Sequence, residues 1–194
     1  HYETVHAPFG MSVLKDIPHY LRNHVTQSLG CSEPPFDVLS EFGYADTGAL
    51  KTMTELLAGS ELGDPLRADE LTFMDRPRNV HFALTRIAGR SGPAADSMRK
   101  IVLLGSTPGA SNRDASIESH VRVLDSLGLT VSSTTYECPV GRAPYDVVSF
   151  LRCPANGFDA EFLQKELPRD EHALLLQVDA CATRISAAWD AGDP

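Results

Sequence analysis

The first eight residues, His1-Tyr2-Glu3-Thr4-Val5-His6-Ala7-Pro8, combine residue types that suit proton transfer. On a helix, Tyr2 and His6 are four positions apart and share one face, and Pro8 is expected to interrupt that helix soon afterwards. A neutral imidazole beside a phenol can act as a general acid or base near neutral pH. The same spacing also suits a short amphipathic turn that packs Tyr2 and Val5 into a core. The residues alone therefore leave a catalytic and a structural role for His6 open.

The segments after this octet predict a series of short strands and helices. Alternation over residues 19–27 predicts a strand with Tyr20, Arg22 and His24 on one face. These faces are unusually polar for a strand that is buried on both sides, and the face with Tyr20 suits a polar cavity, a solvated surface or an interface equally well. Residues 64–74 predict a helix with Leu66, Leu71 and Met74 turned inward. The other predicted elements are a loop at 30–35, a strand at 36–44, a helix from Asp46 or Thr47 to Gly59, and a strand at 78–88.

The octet resembles the H-Y-x-x-V-H-A-P signature of the EthD family of dimeric α+β barrel proteins. In that family the helix carrying the signature follows the first strand, so the resemblance places a strand before His1. With that strand, the first half has the order β-α-β-β-α-β of a ferredoxin-like unit with a divided second helix. The resemblance covers roughly residues 1–89 and continues in the segments His19–Val25, Pro35–Phe42 and Phe73–Asp75.

The second half repeats this element order without repeating the residues. We predict strands at 100–105, 130–137, 145–152 and 172–181, with helices at about 112–127 and 158–167. The predicted organisation is an EthD-like half at 1–89, a linker at 90–98 and a degenerate second half at 99–194. Two ferredoxin-like sheets packed sheet to sheet would bury the face that the helices of each leave bare. The predicted fold is therefore α+β, a tandem form of the dimeric α+β barrel, and the chain is also expected to be able to form a homodimer.

The resemblance implies a function as well as a fold. Proteins of this fold often act without a cofactor, as lactone isomerases, polyketide cyclases, decarboxylases or monooxygenases on aromatic compounds. We therefore expect a cofactor-independent enzyme that acts by acid–base chemistry on a small hydrophobic, aromatic or polyketide-like compound. The alternatives are a non-catalytic ligand-binding or accessory protein and a haem-binding protein of the same fold. The candidate catalytic residues are His6, Tyr2, His24 and His81, and the candidate substrate-binding residues are Tyr20, Arg22 and Glu41.

In this hypothesis a carboxylate would orient a histidine, and metal binding is only an alternative. Asp37 or Glu41 could orient an imidazole by accepting its second N–H. His1 and His6 are five positions apart and fit one helical face poorly, so no metal site is predicted. Metal binding, or haem ligation by one histidine, remains an alternative.

Two further segments have a structural and a chemical interpretation. Residues 103–111, with the sequence LLGSTPGAS, form either a tight strand-to-helix turn or a phosphate-binding loop, although G-x-G-x-x-G and P-loop patterns are absent. Cys138, four residues before Arg142, is either an ordinary loop cysteine or a thiolate activated by that cation. We favour the structural interpretation for both segments.

Composition limits the classes of partner. The chain has 194 residues, of which 42% are hydrophobic and 22% charged, as in ordinary folded proteins. A net charge of −9 argues against nucleic-acid and anionic-membrane surfaces, which need a basic patch. The apolar run at 173–176 is too short to span a bilayer. No signal-peptide pattern is evident, and the scattered cysteines, without a CxxC pair, suit a reducing compartment. We expect a cytoplasmic protein with a small hydrophobic ligand.

Overall fold

A computed structural model describes residues 1–14, 17–29, 33–59, 61, 63–91, 98–106, 113–127, 132–139, 143–154, 160–166 and 172–184. Two compact units divide these residues. The first contains the described residues of His1–Arg22, Ser40–Val80 and Cys181–Asp190, and the second those of Asn23–Leu39 and His81–Ala180. The predicted linker at 90–98 lies mostly outside the described residues, so the predicted boundary between the halves stays a prediction.

The helices begin and end close to the predicted positions. A π-helical turn at Tyr2–His6 leads directly into α1, and a short 3₁₀ turn covers Arg76–Arg78. Asp46 is one of the two caps predicted for α2, and its Oδ1 accepts the N–H of Ala49 at 2.7 Å. The α-helices are α1 (Ala7–Val13), α2 (Thr47–Gly59), α3 (Gly63–Glu70), α4 (Arg113–Ser126) and α5 (Ala160–Glu166).

Seven strands are present among the described residues, all of them near predicted positions except the third. Residues 81–84 are irregular, so the strand predicted at 78–88 was wrong in its bounds and begins only at Thr85. The strands are β1 (His19–Ser28), β2 (Val38–Gly43), β3 (Thr85–Arg90), β4 (Met98–Ser106), β5 (Ser132–Glu137), β6 (Val147–Pro154) and β7 (His172–Arg184).

Two local reasons account for the errors between residues 70 and 85. Helix α3 ends at Glu70, so the helical period no longer applies to Leu71, which is 68% exposed and was wrongly predicted to point inward. The 3₁₀ turn contains Pro77, which has no N–H for a strand ladder. Val80 follows that turn and is 55% exposed, so the first residues of the predicted strand have no buried face.

The seven described strands form one sheet, in the order β2-β1-β7-β4-β6-β5-β3. The middle of this sheet is formed by residues 98–184, whose element order is β4-α4-β5-β6-α5-β7. Within it, β4 is antiparallel to β6 and to β7, and β5 is antiparallel to β6. Strand β3 joins at the other side of β5, also antiparallel. The chain is therefore a mixed α/β protein, with antiparallel pairing in each of these four strand pairs.

Apolar side chains on the two faces of β4 explain why this strand lies at the centre of the sheet. Residues 101–104 read Ile-Val-Leu-Leu and are at most 1% exposed. Such a continuous apolar run is typical of a strand that is covered on both faces. One face packs with α4, α5 and neighbouring strands around Ile101, Leu103 and Leu124, and the other packs around Val102, Leu104 and Phe150.

A smaller apolar cluster supports the first unit. Ala7, Leu14, Ile17 and Tyr20 are its buried members, and α2 contributes Met53 and Leu57 at its edge. Ala7 and Leu14 are one heptad apart, the spacing expected for one face of a helix. This cluster fixes α1 against the start of β1, and therefore fixes the octet that precedes α1.

Candidate functional site

The π-helical turn at Tyr2–His6 places an imidazole and a phenol side by side. The N–H of Ala7 bonds the carbonyl of Tyr2, and the N–H of His6 bonds that of His1 at 3.2 Å, both five residues back. The Tyr2 and His6 rings are 5.3 Å apart between centroids, as the helical spacing predicted. Pro8 lies in the first turn of α1, where a missing N–H costs nothing. The π-helical turn therefore changes to an α-helix just before the proline. Such π-helical turns often occur at functional sites.

A carboxylate from α3 holds the His6 ring. Nδ1 of His6 is 2.8 Å from Oδ2 of Asp69, and the His6 side chain is 9% exposed. A carboxylate accepts hydrogen bonds, so Nδ1 carries the proton that is donated. In the neutral ring the lone pair then lies on Nε2, which is the tautomer required of a base that takes a proton through Nε2.

The same carboxylate also holds a second imidazole. Nε2 of His1 is 2.8 Å from Oδ1 of Asp69, so each carboxylate oxygen accepts from one histidine. The His1 side chain is 39% exposed, far more than that of His6. Asp69 therefore bridges an exposed ring and a buried ring, and the buried ring lies 5.3 Å from the ring of Tyr2.

Three hydroxyl groups meet at Tyr2. Its oxygen is 3.1 Å from the Tyr20 hydroxyl and 2.8 Å from the Ser40 hydroxyl. Tyr20 is 3% exposed, and burial is the main cause that raises its pKa, with the neighbouring Tyr2 adding to the shift. Tyr20 therefore keeps its proton throughout the physiological pH range. We call Tyr2, Tyr20 and Ser40 the hydroxyl cluster.

An ion pair lies behind the hydroxyl cluster. The guanidinium of Arg22 donates from Nε and Nη2 to the two oxygens of Glu3, both at 2.7 Å. The same guanidinium lies 4.8 Å from the centre of the Tyr20 ring, and Phe42 stacks on that ring at 4.5 Å. Strand β1 thus positions Tyr20 and Arg22 on one face, while Glu3 ties that face to the octet.

Phe73 covers the aromatic side chains of the octet. Its ring centroid is 5.0 Å from that of His1, 5.5 Å from that of Tyr2 and 4.9 Å from that of His6. Phe73 is itself 36% exposed. An aromatic ring on three polar rings excludes water from one side of them while its other side faces solvent.

The remaining predicted site residues are placed differently. The structure brings together Tyr2, His6, Tyr20 and Arg22, all in the first unit. Glu41 is half-buried on β2, next to Ser40 in the chain. His24 is half-buried on β1 and His81 is exposed in the irregular segment 81–84, and both belong to the second unit. His81 is therefore not on a strand, contrary to the prediction.

The most important contact was not predicted. Asp69, and not Asp37 or Glu41, is the carboxylate that orients His6, across a separation of 63 residues. Asp37 is exposed. The sequence indicates Phe73 only through the resemblance to the EthD family. No local signal in the sequence identifies Asp69, because its contact with His6 joins two segments 63 residues apart.

The arrangement does not gather ligands for a metal ion. Glu3 and His6 are three residues apart and could in principle share a helical face, but Glu3 bonds Arg22 and His6 bonds Asp69. Among the residues that the structure describes, no three His, Cys, Asp or Glu side chains are grouped so that they could hold a metal. The phosphate-binding interpretation of residues 103–111 concerns a loop that lies mostly outside the described residues.

Cys138 is buried in the second unit and is expected to be unreactive. Burial raises the pKa of its thiol to about 12, and the nearby Arg113 opposes this shift only in part. Arg113 is itself engaged by Glu137 and Asp146. The attacking species is the thiolate, which stays scarce until the pH approaches the raised pKa. The structure thus argues against an activated thiolate at this position, and Arg142 lies outside the described residues.

We predict that iodoacetamide at pH 8 labels Cys138 roughly 100-fold or more slowly in the native protein than in the unfolded chain. The reason is that burial raises the pKa of this thiol from 9.0 to about 12, so the native protein contains much less of the reactive thiolate. Peptide mass spectrometry of the labelled chain gives the rate at this cysteine. A native rate within a few-fold of the unfolded rate would show that the thiol is not buried as described.

Comparisons with known proteins leave the family open. No protein-family model matches the chain, and no curated protein matches it significantly. Within the described part of the chain, no helix has the length and apolar character that crossing a membrane requires.

Proposed function

We propose that this protein is a cofactor-independent enzyme that uses His6 as a general base or acid on a small hydrophobic compound of aromatic or polyketide-like structure. The observation that supports this most directly is the hydrogen bond from Nδ1 of His6 to Asp69, at 2.8 Å. A buried ring held by a carboxylate is oriented and kept in one tautomer, as in other enzymes where a carboxylate orients a catalytic histidine. Tyr2 lies beside it as a second proton-carrying group.

The proposed fold family is a tandem EthD-like protein built from two ferredoxin-like halves. The topology of residues 98–184 supports this, because β-α-β-β-α-β with the strand order β7-β4-β6-β5 and antiparallel neighbours is the arrangement of a ferredoxin-like unit. Strands of the first half lie at both edges of this four-stranded group, β1 beside β7 and β3 beside β5. Pairing of two halves at both edges is what a barrel made from two sheets requires.

In the proposed mechanism, Nε2 of His6 removes a proton from a carbon or oxygen of the bound compound. Asp69 accepts from Nδ1 and stabilises the imidazolium that forms. The same imidazolium can then return the proton to another atom of the compound. Phe73 shields the rings from water, which strengthens the electrostatic interaction between the imidazolium and Asp69. Residues His24, His81 and Glu41 are not needed for this step.

The proposal is tested by proton exchange in deuterated water. The purified protein is incubated with a panel of enolisable aromatic ketones and β-dicarbonyl compounds, and deuterium uptake is measured by mass spectrometry. We expect at least one compound to exchange faster than in buffer, and we expect His81→Ala, a change at an exposed histidine, to exchange at the wild-type rate.

Two results would contradict the proposal. Exchange at the buffer rate with every compound, in a protein that binds one or more of them, would favour the ligand-binding alternative. Loss of proton exchange in His81→Ala would show that the exposed His81 is required, and this would contradict a mechanism in which His6 is the acid or base. A coloured purified protein would instead favour the haem-binding alternative.

A further inference from the structure

We propose that Phe73 determines substrate specificity, by packing its solvent-facing side against an aromatic ring that carries the reacting group of the substrate. This inference rests on the proposed function and narrows it, because the proposed function leaves aromatic and polyketide-like compounds open. The substrate class is then that of aryl ketones and phenols, in which an aromatic ring lies next to the atom that gives up a proton.

The part of His6 that a substrate can reach lies beside Phe73. The His6 side chain is 9% exposed, and its Nδ1 already donates to Asp69, so Nε2 is the atom that acts on a bound compound. The ring centroid of Phe73 is 4.9 Å from that of His6, and the centroid of Tyr2 is 5.3 Å away. Rings at these separations are in contact. We therefore expect a compound held at Nε2 to touch these neighbouring rings as well.

Phe73 presents apolar surface at this position. It is 36% exposed, although one side of its ring packs on the aromatic side chains of the octet. Exposed apolar side chains that occur singly are common and need no ligand, and Leu71 is an example at 68% exposure. Phe73 differs from Leu71 because it is aromatic and because its ring contacts the proposed base.

The turn that follows α3 fixes the position of Phe73. The N–H of Phe73 bonds the carbonyl of Glu70 at 3.3 Å. The N–H of Thr72 bonds the carbonyl of Asp69 at 2.9 Å, and the Thr72 hydroxyl donates to the same carbonyl at 2.7 Å. The segment that orients the base through the Asp69 carboxylate therefore also positions Phe73. A surface that is already ordered loses little conformational entropy when a ligand binds, and this favours affinity.

An aromatic ring gains more from this surface than an aliphatic ring of the same size. The face of a phenyl ring carries partial negative charge and its edge partial positive charge, so two rings attract each other in offset or edge-to-face geometry. An aliphatic ring buries a similar apolar area without this electrostatic contact. Because Phe73 packs directly on His6, the ring of the substrate must lie close to the reacting atom. Compounds whose aromatic ring is several bonds from the acidic hydrogen do not meet this requirement.

A matched pair of ketones tests the inference. Acetophenone and cyclohexyl methyl ketone both carry exchangeable α-hydrogens, and only the first has an aromatic ring. The dissociation constant of each is measured by NMR titration, and KM and kcat by deuterium uptake, in the wild type and in Phe73→Leu. We expect Phe73→Leu to weaken acetophenone binding about 3- to 10-fold, the range of an aromatic contact, and to affect the cyclohexyl ketone less. Leucine still covers His6, so kcat should change less than the dissociation constant.

Two further variants are controls. Phe73→Tyr keeps an aromatic face, and we expect it to bind acetophenone within about twofold of the wild type. Leu71→Ala removes an exposed apolar side chain from the same turn, and we expect the preference for acetophenone over the cyclohexyl ketone to be unchanged. Circular dichroism confirms that each variant is folded. The wild type must itself bind acetophenone more tightly than the cyclohexyl ketone, which is a requirement that does not depend on the folding of any variant.

Each outcome decides a separate question. Equal acetophenone affinity in the wild type and a folded Phe73→Leu would overturn the inference and leave the acid–base proposal standing, and so would a wild type that binds the two ketones equally. Acetophenone binding that depends on Phe73, without proton exchange by the wild type, would support the aromatic contact and contradict the enzyme proposal. Absence of acetophenone binding by the wild type would also overturn the inference.

Discussion

His6→Ala is expected to lower turnover by about 10²- to 10⁴-fold, the range that a positioned general acid or base contributes. His6 is 7% exposed and packs its ring against Tyr2 and Phe73. The substitution removes the base and leaves a small space among aromatic rings, so far-ultraviolet circular dichroism and the unfolding midpoint are measured alongside activity. The readout is the rate of deuterium uptake by the best compound of the panel.

Asp69→Asn distinguishes a catalytic imidazole from a merely structural one. An asparagine amide keeps the size of the carboxylate but removes its charge, and it can donate to Nδ1 and thereby favour the wrong tautomer of His6. We expect turnover to fall by about 10-fold or more. Asp75→Asn, at an exposed aspartate that pairs with the exposed Arg78, is the matched control and should retain wild-type activity. Activity of Asp69→Asn equal to wild type would mean that Asp69 does not orient a working base.

Removal of the Glu3 carboxylate is expected to give the largest loss of stability. Arg22 has a side chain that is 3% exposed, and Glu3 holds it through two hydrogen bonds. Breaking a fully buried pair from one side costs about 3–5 kcal/mol, because an uncompensated charge remains inside. Glu3 is 34% exposed, and solvent screening reduces the effect. We therefore expect Glu3→Ala to lower the free energy of unfolding by about 2 kcal/mol, measured by urea denaturation.

A surface pair of the same unit gives the comparison. Lys51 and Glu55 are 3.8 Å apart on α2 and largely exposed, so Glu55→Ala should change stability by less than about 0.5 kcal/mol. The double variant Glu3→Leu with Arg22→Met removes both charges and should recover most of the loss. Equal effects of Glu3→Ala and Glu55→Ala would show that the Arg22 pair behaves as an ordinary surface contact.

Local sequence patterns predicted helix ends, strand faces and neighbouring rings well, because each of these depends on residues that are close together in the chain. Asp46 and Thr47 were the two predicted caps of α2, and the side chain of Asp46 is the one that accepts a hydrogen bond from the first turn. The alternation in β1 set Tyr20 and Arg22 on one face before their contacts were known. The four-residue spacing of Tyr2 and His6 was enough to place their rings together, although the turn that carries them is a π-helix.

Contacts between distant segments could not be predicted in the same way. Nothing near His6 in the chain indicates that its partner is Asp69, because the two meet only when α3 packs beside the octet. Glu3 and Arg22 are 19 residues apart and join a helical turn to a strand. The late start of β3 depended on the 3₁₀ turn around Pro77, whose effect extends beyond the residues next to it.

The strand order has a consequence for the course of folding. Residues 98–184 can form their four-stranded group from segments close in sequence, whereas β1 meets β7 across the whole chain, as the hydrogen bond from Thr26 to Gln177 over 151 residues shows. Closing so long a loop costs entropy before the contact is gained. We expect the second half to order first and β1 to dock last. Tyr20 and Arg22 lie on β1, so we expect the part of the proposed site that this strand carries to become ordered late in folding.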